Sequence, residues 1–185
     1  MSKPTFFEAF TNNTLKLNPP LPESELEKIL GKEKLQPSEA LLKFWKKVGP
    51  GELTSSSIEI AQPSGPQKLD ASQYEEYIGI SKVANRNVFF IGTTWDGTDS
   101  VTFWYEFADG DDKGHLVVFP YSTLAVYALD KTTADLIDFI KEVKYDDEAN
   151  LSSELDNQFI KNAEPLSDSD DSGSDQEDDN YSPGE

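Results

Sequence analysis

A chain of 185 residues is long enough for one domain with a proper core and, once its polar end is set aside, too short for two. The absence of cysteine excludes disulfides, thiolate metal sites and a cysteine nucleophile. A net charge of -19 disfavours nucleic acid and anionic membrane and favours basic proteins; residues 164–185 hold nine acidic side chains and no Lys or Arg, leaving -10 for the remainder.

In chain order, residues 1–20 read as an N-terminal arm in which Phe6 and Phe10, four apart, fit one short helical turn ended by Asn12 and Asn13. MSKPTFFEAF lacks the basic-then-apolar order of a signal peptide and no apolar run reaches bilayer-spanning length, so the expected location is the cytoplasm. Ser24 stands three residues before Glu27 as in a capping box, with Leu26, Ile29 and Leu30 at helical spacing and Gly31 as a stop. Pro37 and Ser38 introduce a second helix, with Leu41, Phe44, Trp45 and Val48 at i, i+3, i+4 and i+7 and Gly49-Pro50-Gly51 ending it. Ile58 and Ile60 alternate as in a strand, and residues 69–80 predict a short helix capped by Asp70 or Ser72.

Between Asn87 and Tyr121 the runs VFFIG, VTFWYEF and HLVVFPY are separated by WDGTDS and ADGDDKG, which predicts a three-stranded antiparallel meander. In the middle run Val101, Phe103, Tyr105 and Phe107 share one face, expected to lie on the core. Thr102, Trp104 and Glu106 share the other, expected to be open to a ligand. LAVYAL allows one more strand, and Thr132 or Thr133 caps TADLIDFIKEV, whose Leu136, Ile137, Ile140 and Val143 form an apolar stripe. Residues 146–163 suggest an extra helix containing Leu155, Phe159 and Ile160. Residues 164–185 have little to bury, so they are expected to be a disordered acidic tail whose removal leaves stability nearly unchanged. The fold class is α+β: a central antiparallel sheet of about four to six strands within 21–145, with two N-terminal helices and a C-terminal helix packed on it.

Motifs for chemistry are sparse. His115 is the only imidazole, so no zinc set can be assembled, and no G-x-S-x-G elbow accompanies it for a Ser-His-Asp triad. Asp96, Asp99, Asp109, Asp111 and Asp112 sit on successive turns, which an antiparallel meander places at opposite ends of the sheet. Asp109, Asp111 and Gly114 fit positions one, three and six of a calcium loop, but Lys113 and Pro120 take the places of needed oxygen ligands. No phosphate-cradling glycine loop is present, and no cofactor is expected. In the tail, Ser167, Ser172, Ser174 and Ser182 each have an acidic residue three positions on, the context acidophilic kinases favour, and are candidate phosphorylation sites.

LPESELEKILGKEKLQPSEALLKFWKKVGPGEL resembles the opening of the SUKH superfamily: a short helix with a glutamate and a glycine (Glu27, Gly31), a Leu-Pro step (Leu35 to Pro37), and an aromatic-bearing helix (Phe44, Trp45) ending in a glycine turn (Gly49 to Gly51). FFIGTTWDGTDSVTFWYEF is similar to the family's Ile-Gly, acidic-Gly turn and following strand. Gly114 to Val117 resembles its Gly-x-Val strand, and TADLIDFIKEV its terminal helix. Gln36 interrupts the Leu-Pro step and Pro50 sits inside the glycine turn. The resemblance implies an α+β domain that binds proteins and does no catalysis. Bacterial members are immunity proteins that neutralise toxins; fungal members are scaffold-like regulators of cell-wall synthesis and signalling.

The function expected from residues and resemblance together is a non-catalytic protein-binding module, foremost an immunity protein that neutralises a basic toxin. A eukaryotic regulatory scaffold or complex subunit with a phosphorylatable tail is the second reading, and a carboxylate-dependent hydrolase built near His115 the third. Trp95, Asp96, Asp99, Trp104, Glu106 and Asp112 are the candidate partner contacts, with aromatics as anchors and carboxylates supplying on-rate against a basic protein.

Overall fold

In the computed structural model, which describes residues 2–12, 14–53, 57–95, 100–146 and 151–168, the three apolar runs of the meander pair as expected. β4 (Asn87–Trp95), β5 (Val101–Phe107) and β6 (His115–Pro120) are successive antiparallel neighbours, and β7 (Tyr127–Thr132) extends the sheet beyond β6. On the other side β2 (Ile58–Ile60) pairs with β4, and β1 (Gly51–Leu53) with β2. The two-residue β3 (Gln67–Lys68) pairs with the start of β4. Among the described residues these seven strands form one sheet, ordered β1-β2-β4-β5-β6-β7 with β3 beside β4. The main path holds six strands, as expected; β3, off that path, is a two-residue addition too short to show a period of two.

The N-terminal segment is part of the core. α1 (Phe6–Thr11) is closed by a capping box in which the Thr5 N–H donates to Glu8 Oε2 at 2.7 Å and the Glu8 N–H to Thr5 Oγ1 at 3.2 Å. Asn12 is its C-cap, and Phe6, Ala9 and Phe10 are buried. The Phe6 N–H donates to Val143 O at 2.9 Å and the Tyr145 N–H to Pro4 O at 2.7 Å, so the arm is stitched to the chain just past the last long helix. Residue 21 is therefore not a boundary between an arm and a domain.

α2 (Glu23–Leu30) begins after Pro22, and the expected Ser24 cap falls inside its first turn, because proline pre-sets the backbone there with no side-chain hydrogen bond. At its C-terminal end Gln36 Nε2 donates to Leu30 O at 2.8 Å and Glu33 O at 2.9 Å, which gives the residue interrupting the Leu-Pro step a capping role. α3 (Glu39–Lys47) is capped by Ser38 as expected, and Leu41, Phe44, Trp45 and Val48 are all buried. α4 (Thr133–Glu142) is capped by Thr132 with Asp135 completing a capping box. α5 (Leu151–Leu155) runs into a π turn over Asp156–Ile160, and Leu155, Phe159 and Ile160 are buried as the extra helix requires. Residues 69–80 give a 3₁₀ turn, Ala71–Tyr74, capped by Asp70, and a second, Ile80–Lys82. Among the described residues no helix is long and apolar enough to cross a membrane.

Both faces of the sheet are covered. Phe89, Ile91, Trp104, Leu116 and Val118 point to the larger core, shared with α1 to α5. Val88, Tyr105, Phe107, Val117 and Phe119 point to a second core, closed by Leu69, Tyr74, Tyr77, Ile80 and Val83. That second layer is aromatic: Tyr74 stacks on Phe119 with centroids 4.4 Å apart, and its hydroxyl hydrogen-bonds that of Tyr105 at 2.5 Å. Burial pushes the Tyr105 hydroxyl far above its ordinary range and raises that of Tyr74.

Residues 164–168, expected to open the tail, lie against this second layer. The Leu166 N–H donates to Val126 O at 2.8 Å, and Asp168 Oδ1 accepts from the Gly79 N–H at 2.8 Å and the Ser81 hydroxyl at 3.2 Å. Gly79 holds φ +87°, and a Cβ there would stand 2.6 Å from Leu166 Cβ, so only glycine admits the strap. Residues 169–185, the rest of the expected disordered tail, lie outside the described residues. A chain ending at Ala163 is predicted to be less stable than one ending at Asp168 by about 1–2 kcal/mol in urea unfolding, since it lacks the Leu166 contact and the Asp168 hydrogen bonds.

Candidate functional site

Of the residues expected to be partner contacts, two are inaccessible. Trp104 is 3% exposed: its indole N–H donates to Thr94 Oγ1 at 2.9 Å and its ring meets Phe159 edge-on at 6.1 Å. Glu106 is fully buried. The expectation of an open Trp104/Glu106 face is corrected: this is the face the helices cover, and the face expected beneath the helices carries the second layer instead. Period-two alternation separates two faces but does not say which element covers each.

Glu106 is an internal tie. Its carboxylate accepts from the Ser38 N–H and the Ser38 hydroxyl, both at 2.8 Å, and from the Thr133 hydroxyl. Ser38 is the N-cap of α3 and Thr133 the first residue of α4, so one buried carboxyl group accepts hydrogen bonds at the starts of two helices, where backbone and cap donors need partners. The Thr133 N–H donates to Gly114 O at 3.0 Å, and the Gly114 N–H to Phe107 O at 2.8 Å, which fixes the turn before β6 to the same point.

Asp112 is half-buried and occupied within the chain. Arg86 Nη2 donates to its Oδ1 at 2.6 Å and to Asp109 O at 3.0 Å, while the guanidinium carbon lies 4.1 Å over the Phe107 ring. The Arg86 hydrogen bond holds the Asp112 carboxyl below its ordinary range, and the same bond raises Arg86. Trp95 ends β4 half-buried, and Asp96 and Asp99 lie outside the described residues. His115 is partly buried with Nδ1 3.3 Å from Leu129 O. Among the described residues no three His, Asp or Glu side chains gather as a metal ion would need. Ser167 is exposed beside Asp168, whereas Ser172, Ser174 and Ser182 lie outside the described residues.

A different surface combines apolar exposure with negative charge. Among the described residues Ile78, at 53%, and Tyr121, at 52%, are the exposed large hydrophobics. The Ile78 N–H donates to Leu124 O at 2.8 Å and the Val126 N–H to Ile78 O at 2.9 Å, which docks residue 78 at the end of the turn that starts at Tyr121. Tyr77, the residue before Ile78, is buried; burial chiefly, with Tyr74, Tyr121 and Glu76 nearby, pushes its hydroxyl up to about 12. Glu75 and Glu76 are both exposed. No periodicity in QYEEYIGI or FPYSTL marks this pairing, since it arises from a single long-range bridge.

Comparison of the chain with protein-family models, with curated proteins and with solved structures finds no match in any of the three.

Replacing Glu106 with alanine is predicted to lower the unfolding free energy by about 3 kcal/mol in urea titration, because the half-buried Ser38 donors lose their acceptor and the buried Thr133 hydroxyl keeps only a long contact to Gly114 O at 3.5 Å. Glu106→Gln, which keeps one acceptor oxygen, is predicted to cost less. Asp112 has a folded value below its unfolded one, so its pairing contributes fully above the usual carboxylate range and fades as pH falls through the folded value. Arg86→Gln is accordingly predicted to raise the Asp112 midpoint in an NMR titration, with a stability deficit at pH 7 that narrows below about pH 4.

Proposed function

We propose that this chain is a non-catalytic protein-binding module of the SUKH type, acting in the cytoplasm as an immunity protein that neutralises a basic toxin. The observation that carries this reading is charge: -19 over the chain, with -10 on residues 1–163, a field that attracts a basic macromolecule and speeds its encounter. The resemblance carried by Glu27, Gly31, Phe44, Trp45 and the Gly49 to Gly51 turn supports it, and the two helices α2 and α3 ahead of the sheet and α4 after it are compatible with that order, with α1 and α5 as additions to it. With both sheet faces closed by the chain's own segments, recognition falls to the rim of the sheet, the turns and the outer helix surfaces.

The serine-aspartate sequence after Pro165 favours a second reading, a eukaryotic scaffold or complex subunit whose acidity is increased by phosphorylation. A toxin gene beside this one supports the first reading, and an isolated or spliced gene the second. Affinity capture from the native host, washed at about 0.05 M and then about 0.5 M salt, is predicted to retain a basic protein that the higher salt releases. Retention of no basic protein contradicts the proposal, as does a measurable turnover abolished by His115→Ala with folding intact.

A further inference from the structure

Resting on the protein-binding reading above, we propose that Ile78 and Tyr121, rimmed by Glu75, Glu76 and Asp168, form the docking site for a Lys- or Arg-rich partner segment that carries an apolar anchor. Three observations fix the occupant. Two large hydrophobic side chains stand more than half exposed, Ile78 on the covering segment and Tyr121 at the start of the turn that this segment docks against, where an apolar anchor removes surface otherwise left in water. Glu75 and Glu76 precede that stretch directly, so charge selects a cation beside the anchor. Asp168, bonded to the backbone of Gly79, sets a third carboxylate beside the residue next to Ile78.

The alternatives are less well matched. A second copy of this chain brings its own -19 charge to the same acidic rim. The chain's own residues 169–185 carry the sign that Glu75 and Glu76 repel. The one lysine on this stretch, Lys82, already has an interaction partner within the chain. By contrast, the groove between α3 and α4 is lined by Lys43, Lys47 and Lys141 against Glu39 and Asp138, with Lys43 paired to Glu39, so it offers a basic segment no net negative charge and serves as an internal control.

The test uses the full chain and two synthetic peptides of equal length and charge, one of lysines flanking a central Leu-Leu pair and one with serines in place of the leucines. The leucine peptide is expected to bind about tenfold more tightly, a difference of about 1.4 kcal/mol. Its NMR shift changes are expected at residues 75–81 and 121–125, with those of Lys43, Lys47 and Lys141 unmoved. Ile78→Ala with Tyr121→Ala, both exposed and so expected to fold, should reduce the difference between the peptides to within about twofold. Glu75→Gln with Glu76→Gln should weaken both peptides alike and flatten the salt dependence. Equal binding of the two peptides to the unmodified chain, or shift changes centred on another face, overturns the proposal. Capture of the same basic host protein by the unmodified chain and the Ile78/Tyr121 variant alike overturns this site but leaves the protein-binding reading standing; capture of no basic protein by either removes both.

Discussion

Glu106 sits in the middle of the sheet with no exposed surface, and the positions of the two longest helices depend on it. A lone carboxylate moved from water to such a place is costly, and here it is compensated by hydrogen bonds from Ser38 and Thr133 at the starts of α3 and α4. The bonds come from elements 68 and 27 residues away in sequence, so one side chain fixes how both helices sit on β5. An apolar residue of the same size fills the volume equally well but leaves the helix starts free to slide. Apolar packing then adds strength, with Trp45 meeting Phe89 edge-on at 6.1 Å and Leu41 fully buried beside it in the larger core.

Closing the second face has a functional consequence. An antiparallel sheet of this kind often leaves one side to water, and a protein-binding module can use it as a platform. Here the segment from Leu69 to Val83 fills that side with aromatic rings, and Leu166 straps it down. On the proposed protein-binding reading, recognition is left to the rim, where the covering segment meets the turn after β6. Ile78 and Tyr121 owe their exposure to that closure, because the bridge that docks the segment leaves these two side chains outside it.

Most of the fold was legible in the sequence, for identifiable reasons. Ser38 before a run with Leu41, Phe44 and Trp45, and Thr132 before Leu136, Ile137 and Ile140, join a cap to a 3.6-residue period, and both helices form where expected. The meander was equally clear, since turn residues separate its three strands. The site was not legible. Glu106 lies on an alternating strand between Tyr105 and Phe107, a pattern shared by a solvated carboxylate and a buried one; its donors lie far off in the chain. Asp112 has the look of a free turn acid until Arg86 is brought over it by the pairing of β4 with β5. The start of the chain was undervalued because two phenylalanines four apart do not reveal that Val143 and Tyr145 receive them.

If Glu106 binds sheet and helices into one unit, they must open together. Native-state hydrogen exchange on the full chain measures this most directly: the amides of Leu41 in α3 and Ile137 in α4 are predicted to exchange only through global unfolding, with the same free energy as Tyr105 and Val118 in the sheet. Exchange of the α3 and α4 amides through a separate, lower-energy opening, while the strands stay protected, would contradict the account.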